Sequence, residues 1–270
     1  MRFSFDGPAT FLARSRLNLK EEARFQGVCA GGKILDVTAV YKGSNNERYL
    51  LMKSITTLLS LALVTATLSA QEEVKLPKPD GRGWMTLFNG KDLSGWDGDP
   101  KVWRVKDGYI SGEIEKLEGG NTFLIFEKPF SNYVLEADFV LIGRKGNSGI
   151  QYRSKQSERG ANKWVVKGYQ ADFGNGLWGK LYEEGGRGVL AFTYKDKAPV
   201  IKEDDGWNTY RITAKGSKLR HEVNGTVTIE LDDQDEKKAA KEGIIGLQYH
   251  SPGGFEVRFK NIRIKLLETK

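Results

Sequence analysis

From Trp84 onward, apolar and polar residues alternate over short runs, and Gly, Asn and Asp break those runs at close intervals. Side chains on a strand point to opposite faces with a period of two, so the pattern predicts strands rather than helices. Candidate strands cover 102–106, 108–113, 122–126, 132–142, 147–154, 166–173, 188–193, 208–215, 218–224, 226–231, 243–250 and 255–266. Asn224-Gly225 sits between two of them as the two-residue loop of a hairpin. Asn89-Gly90 supplies a positive-φ pair for another turn, with Leu87, Phe88, Leu93 and Trp96 to pack around it. Asp235 to Lys241 reads as one charged turn. Many short strands between turn signals predict an all-β fold, and their number favours two stacked antiparallel sheets in a jelly-roll order.

The same pattern locates a candidate site. On 147–154, Ile150 and Tyr152 oppose Gln151 and Arg153; on 168–173, Tyr169, Ala171 and Phe173 oppose Gln170 and Asp172. On 245–250, Leu247 and Tyr249 oppose Gln248 and His250; on 134–141, four apolar residues oppose Glu136 and Asp138. If these strands are neighbours, their polar faces form one patch of amides, carboxylates, Arg and His, the groups that bind sugar hydroxyls. A solvated sheet face would show the same alternation. His250 reads as a general base or metal ligand, or else as a strand-end histidine bonded to a loop carbonyl. His221, in the 219–227 hairpin, reads as a surface residue. Asn147 belongs to a turn and could also touch a ligand. The Gly-rich stretch 175–188, with Trp178, Tyr182, Glu183 and Arg187, reads as a long loop suited to act as a lid over a carbohydrate.

The N-terminal part has a different character. Met52-Lys53 precedes the apolar run Ile55 to Leu63 and the small residues up to Ala70. This is the pattern of a secretory signal peptide cleaved after Ser69 or Ala70, and its apolar core is shorter than the roughly 20 residues of a spanning helix. Residues 71–83, with Pro77, Pro79, Gly81 and Gly83, read as a linker, and 84–270 as one β-sandwich domain. Residues 1–51 have no place in front of a signal peptide; they read as a mis-assigned or disordered leader with little order. The expected product is exported to the periplasm or the medium, with no transmembrane anchor in its mature form. Residues 1–70 hold 9 Lys and Arg against 5 Asp and Glu, so four of the seven excess positive charges lie there and the remainder carries +3. The basic character is therefore no argument for a nucleic-acid partner. The single cysteine, Cys29, lies in the same leader, so the domain has neither a disulfide nor thiolate chemistry.

Several short blocks stand in a recognisable order: Leu87-Phe88-Asn89-Gly90-Lys91-Asp92-Leu93-Ser94-Gly95-Trp96, Trp103-Arg104-Val105-Lys106-Asp107-Gly108, Gly146-Asn147-Ser148-Gly149-Ile150, Gly206-Trp207-Asn208-Thr209-Tyr210, Val223-Asn224-Gly225 and Phe259-Lys260-Asn261-Ile262-Arg263-Ile264. Together they resemble the 3-keto-disaccharide hydrolase family. The resemblance implies a concanavalin-like jelly roll with one concave sheet open to a carbohydrate, and an enzyme that cleaves 3-keto glycosides. A C3 ketone acidifies the C2 hydrogen, so a base can remove it and the C1 substituent then leaves by elimination. In that chemistry His250 or Asp172 is the base and Arg153 the oxyanion partner. Asn147, Gln151, Gln170 and Gln248 orient hydroxyls, and Tyr182 or Glu183 protonates the leaving oxygen. A divalent cation could take the place of Arg153. A non-catalytic carbohydrate-binding module is the alternative. Glu136-Ala137-Asp138 is similar to part of the catalytic strand of laminarinase-type hydrolases. With Val140 in the third position, however, one carboxylate of a retaining glycosidase is missing. No zinc spacing of Cys and His is present.

Overall fold

The structure, a computed structural model, describes residues 74–268 except 160–161, 176–177, 194–197 and 203–205, together with backbone strands within 2–41. The proposed signal segment, 52–70, lies outside the described residues. The chain divides into two compact units, Met1–Glu73 and Val74–Lys270. In the first, where the sequence predicts little order, the backbone strands β1 (Arg2–Phe5), β2 (Thr10–Asn18), β3 (Glu21–Ala30) and β4 (Lys33–Tyr41) form an antiparallel sheet in sequential order.

The described residues of the second unit form fifteen strands in two antiparallel sheets. They are β5 (Trp84–Thr86), β6 (Trp96–Asp97), β7 (Trp103–Lys106), β8 (Tyr109–Ile114), β9 (Thr122–Phe130), β10 (Tyr133–Leu141), β11 (Asn147–Arg159) and β12 (Asn162–Gly174), followed by β13 (Lys180–Glu184), β14 (Gly188–Ala191), β15 (Asn208–Lys215), β16 (Lys218–Val223), β17 (Thr226–Asp232), β18 (Gly243–Tyr249) and β19 (Phe255–Leu266). The first sheet runs β17-β16-β15-β10-β19-β8-β7, with β5 paired to β19; the second runs β14-β13-β12-β11-β18-β9-β6. Their inner faces enclose one core, to which the first sheet gives Phe139, Tyr210, Ile212 and Phe259 and the second Tyr152, Tyr169, Phe173 and Leu247. The all-β jelly-roll sandwich is the predicted class.

Local signals place several elements. Asn224 and Gly225 take φ of 50° and 81° between the paired residues Val223 and Thr226, the mirror-image turn that suits strand twist. At Asn89-Gly90 only the glycine takes positive φ; the Asn89 side chain instead accepts the backbone N–H groups of Lys91 and Asp92. Trp96 anchors this turn, donating its indole N–H to Leu87 O at 2.8 Å.

His221 departs from its predicted surface position. It alternates inward on β16 and is fully buried. Its Nε2 lies 2.9 Å from the Tyr152 hydroxyl and its Nδ1 3.2 Å from that of Tyr210, so the ring joins both sheets across the core. The alternation Leu219-Arg220-His221-Glu222-Val223 carried this signal, since His221 shares its face with Leu219 and Val223. Burial pushes its pKa down to about 3, against a smaller opposing hydrogen bond at the Gly179 backbone. A histidine held neutral in the fold but free to charge when unfolded costs nothing above pH 6.5 or so, and stability is lost as pH falls below that value. We expect unfolding free energy to drop by about 1.4 kcal/mol per pH unit below about pH 6 from this one group. Urea titrations between pH 7 and 5, above the carboxylate range, check this slope. A His221 imidazole NMR signal, assigned by its loss in His221→Gln, that titrates near 6.5 in the folded protein would overturn it.

Candidate functional site

The outer face of the second sheet gathers most of the predicted polar residues. Gln151 pairs with Gln170 and Gly149 with Asp172 across β11 and β12; Gln170 pairs with Tyr182 and Asp172 with Lys180 across β12 and β13. Gln151 also pairs with Gly246 of β18. Continuing that register sets Gln248 opposite Gly149 and His250 opposite Asn147. Paired residues share a face, so Asn147, Gln151, Gln170, Asp172, Tyr182, Gln248 and His250 belong to one surface.

The floor of this surface is an amide cluster. Gln151 Nε2 donates to Gln170 Oε1 at 2.6 Å, and Gln248 Nε2 donates to the same oxygen at 3.0 Å. Ser154 Oγ donates to Gln151 Oε1 at 2.8 Å. All three glutamines are buried, and buried amides must be paired in this way. Gly149 makes room for the cluster: a Cβ there would lie within 2.6–2.8 Å of the Gln170 side chain. Beside the amides, Asp172 accepts Asn147 Nδ2 at 3.0 Å on one oxygen and Lys180 Nζ at 2.7 Å on the other. Lys180, which sequence reasoning missed, is therefore the cation of this face. Its signal was present, because Lys180, Tyr182 and Glu184 alternate once 180–184 is read as a strand. Glu184 stands 3.4 Å from Gln248 Nε2. His250 is half-buried, with Nδ1 against the Ser251 carbonyl. The loop-carbonyl alternative thus describes one ring nitrogen. A proton held on Nδ1 by that carbonyl leaves the lone pair on Nε2.

Two predicted site residues lie elsewhere. Arg153 sits at a β-bulge with φ of 46°, where the β11–β12 register shifts between Tyr152 and Lys155. The extra residue breaks the alternation and turns Arg153 away from Gln151. Its guanidinium donates to Ser131 O at 2.8 Å, Gly216 O at 2.6 Å, Ala240 O at 3.2 Å and Asn132 Oδ1 at 3.1 Å, which ties three connections together at one end of the sandwich. Glu183 alternates to the inner side of β13. There Arg187 donates to both of its oxygens at 2.8 Å and to both oxygens of Asp233 at 3.0 and 2.6 Å. Arg187 holds Asp233 down to about 2 and also lowers the Glu183 carboxyl. Adjacent strand residues cannot share a face, so Tyr182 and Glu183 cannot both serve the same site.

The expected lid over 175–188 is also corrected, with 176–177 outside the described residues. It is largely the β13–β14 hairpin, and Trp178 stacks on Phe139 and Phe173 at the edge of the core. What covers part of the outer face is a different element, the far half of the β11–β12 hairpin. It lays Trp164 and Val166 over Phe123, Ile125 and Ile244, and Val166 reaches Gly246. Clefts of about 560 and 370 Å³ open elsewhere, at the loop end of β8 and β19 and on the outer face of the first sheet. Among the described residues no three His, Cys, Asp or Glu side chains gather as a metal site. Glu136 and Asp138 lie on the outer face of the first sheet, on the opposite side of the sandwich from this cluster.

Residues 83–265 match the 3-keto-alpha-glucoside-1,2-lyase-like domain. A Bacteroides thetaiotaomicron protein named 3-keto-disaccharide hydrolase is 27% identical over 252 residues, covering 75% of this chain and 85% of that protein. A Parabacteroides distasonis crystal structure, provisionally described as a glycosyl hydrolase, aligns with a TM-score of 0.52 and 21% identity over 72% of this chain and all of its own. A Bacillus subtilis protein with a galectin-like fold aligns with a TM-score of 0.54 and 11% identity over 71% of this chain and 98% of its own. The lumenal domain of VIP36, solved with Ca²⁺ and Man3GlcNAc, aligns at 0.51 with 9% identity over 72% of this chain and 92% of its own. At these identities the solved structures speak for the fold alone.

The two kinds of residue separate by mutation. Arg153→Lys removes a planar donor from buried carbonyls, and we expect a loss of roughly 2–4 kcal/mol of stability with sugar affinity of the folded fraction unchanged. Gly149→Ala should differ in the second readout: with Gln170 displaced from its buried partners we expect a loss of about 1–3 kcal/mol together with weakened sugar binding. Denaturant titration alongside sugar titration checks both.

Proposed function

The chain belongs to the 3-keto-alpha-glucoside-1,2-lyase-like domain family, and from that premise we propose that it cleaves 3-keto glycosides on the outer face of its second sheet by elimination. The observation that carries this reading is the joining of a fixed cation, Lys180 beside Asp172, to an amide floor and the half-buried His250 on one surface. His250 Nε2 removes the C2 proton of the bound ketosugar. The C2–H electrons form the C2=C3 enolate, whose oxygen the Lys180 ammonium stabilises in place of the Arg153 first expected there. The enolate then expels the C1 oxygen, which takes a proton from Tyr182 or Glu184, and water adds to the resulting enone.

Asp172 is the weaker candidate for the base, because both of its oxygens are already engaged. Its place in the reaction is to hold Lys180. Asn147 and the glutamines orient hydroxyls through the lone pairs and amide hydrogens their mutual bonds leave over. The carbohydrate-binding module remains the rival reading, favoured by the near-complete burial of the three glutamines.

Export is part of the same reading, through residues 52–70. Mass spectrometry of the secreted product should give an N-terminus at Ala70 or Gln71. Among the described residues no helix is long and apolar enough to cross a membrane.

Incubating the purified chain with a 3-keto glucoside, with and without chelator, and watching enone absorbance tests the chemistry. We expect turnover, a fall in kcat of about 10²–10⁴ in His250→Gln, and a smaller fall in Lys180→Met. A chain that binds the glucoside and never releases its aglycone is a binding module.

A further inference from the structure

Two of the blocks that mark this sequence, around Thr209 and Asn261, contribute polar residues for which the second sheet has no use, and a third contributes Phe88. Their apolar members, such as Leu87, Tyr210 and Ile262, fill the core. Thr209, Asn261 and Arg263 meet instead on the outer face of the first sheet. A cleft of about 370 Å³ opens there between Glu136 and Asp138 of β10, Thr209 of β15, and Asn261 and Arg263 of β19, with Phe88 at its floor.

A bulge builds this cleft. The β10–β19 register passes from Glu136–Arg263 to Asp138–Lys260, so Ala137 faces both Asn261 and Ile262. Asn261 takes φ of 50°, a left-handed backbone that asparagine tolerates better than most residues. Bulges re-aim side chains and occur often beside functional sites. Here the bulge turns Asn261 Nδ2 onto Asp138 Oδ2 at 2.7 Å, while Thr209 Oγ1 donates to Asp138 Oδ1 at 2.7 Å. Next to them Glu136 is almost fully buried and receives Arg263 Nε at 2.7 Å and Arg211. The Arg263 guanidinium stacks 4.6 Å from the Trp84 ring, and its side chain stays 40% exposed. It is therefore held in one orientation with an open edge.

Two carboxylates and one guanidinium line the cleft, and Arg211, outside the lining, also pairs with Glu136, so the charges of the whole cluster balance and neither an anion nor a cation is favoured. A carboxylate, an amide, a hydroxyl and a guanidinium set side by side offer alternating acceptors and donors, which is what vicinal hydroxyls require. The volume falls at the lower end of ligand pockets, about 300–1,000 Å³, enough for a single ring. The geometry points to a second carbohydrate-binding site here, for a neutral pyranose unit, on the opposite side of the sandwich from the amide cluster. It stands whether or not the elimination chemistry does.

The test uses the full chain and methyl α-D-glucopyranoside, which has no ketone and cannot be eliminated. Calorimetry and NMR titration read affinity and stoichiometry. We expect saturable binding that Asn261→Gly and Asp138→Asn each weaken by about tenfold or more, and that Lys180→Met leaves in place. Asn261→Gly keeps the left-handed backbone at no steric cost, and unchanged thermal unfolding verifies the fold; Asp138→Asn keeps the side-chain shape as a second check. Turnover of a 3-keto substrate, where present, should be unaltered in both. No saturable binding to the unaltered chain overturns the proposal, and so does binding that survives both substitutions.

Discussion

A strand paired one residue out of step presents its opposite face. In the second sheet that slip would carry Gln151, Gln170, Asp172 and Gln248 into the core and turn Tyr152, Tyr169 and Leu247 outward. Neither half of that exchange is tolerable. Each buried amide without its partner costs about 1–3 kcal/mol, and each large side chain returned to water forfeits roughly 1.5–3 kcal/mol. The amide cluster and the aromatic core therefore enforce the same register from opposite sides. The outer face inherits its geometry from the constraint: Gly149 leaves the space that Gln170 fills, and Asp172 stands where Lys180 can reach it.

Closing the sandwich falls to polar groups as well as to the core. Arg153 gathers three connections at one end, His221 joins Tyr152 to Tyr210 through the middle, and Arg187 links Glu183 of one sheet to Asp233 beside the other. Each is a buried or half-buried group with its hydrogen bonds satisfied, and removal of one partner would leave the other stranded. In a domain whose cysteine-free sequence allows no disulfide from Val74 onward, these three links are among the specific ties between elements distant in sequence.

The fold was largely legible because alternation and turn chemistry are local. The predicted strands 122–126, 147–154 and 166–173 lie within β9, β11 and β12, and Asn224-Gly225 forms its hairpin. What sequence could not supply was anything that interrupts period two. Arg153 was assigned by simple parity with Gln151, and a bulge reverses that parity. The glycines of 175–188 suggested an open loop, yet they flank and join a short hairpin whose strands show weak hydrophobic contrast. Lys180 was lost with that strand. His221 was misplaced for a different reason: a histidine was judged by its polarity, although its neighbours at two-residue spacing already gave its face.

The arrangement of carboxylates bears directly on which glycoside chemistry the fold can support. Ordinary glycosidic hydrolysis needs an acid and a second carboxylate flanking one bond. In this chain the best-aligned acidic pair, Glu136 and Asp138, lies on the first sheet, held by Arg211 and Arg263 and by Thr209 and Asn261. The outer face of the second sheet has Asp172, which Lys180 neutralises, and Glu184 beside Gln248. A substrate already activated by a ketone makes a different demand. Its C2 proton is acidic enough for a single weak base, and the charge that develops sits on the ketone oxygen, where a fixed cation serves better than a second carboxylate would. On the elimination reading proposed above, a face with Asp172 engaged by Lys180, Glu184 beside Gln248 and one imidazole needs only a single base and a fixed cation, so the absence of a third carboxylate at Val140 is no obstacle to that chemistry.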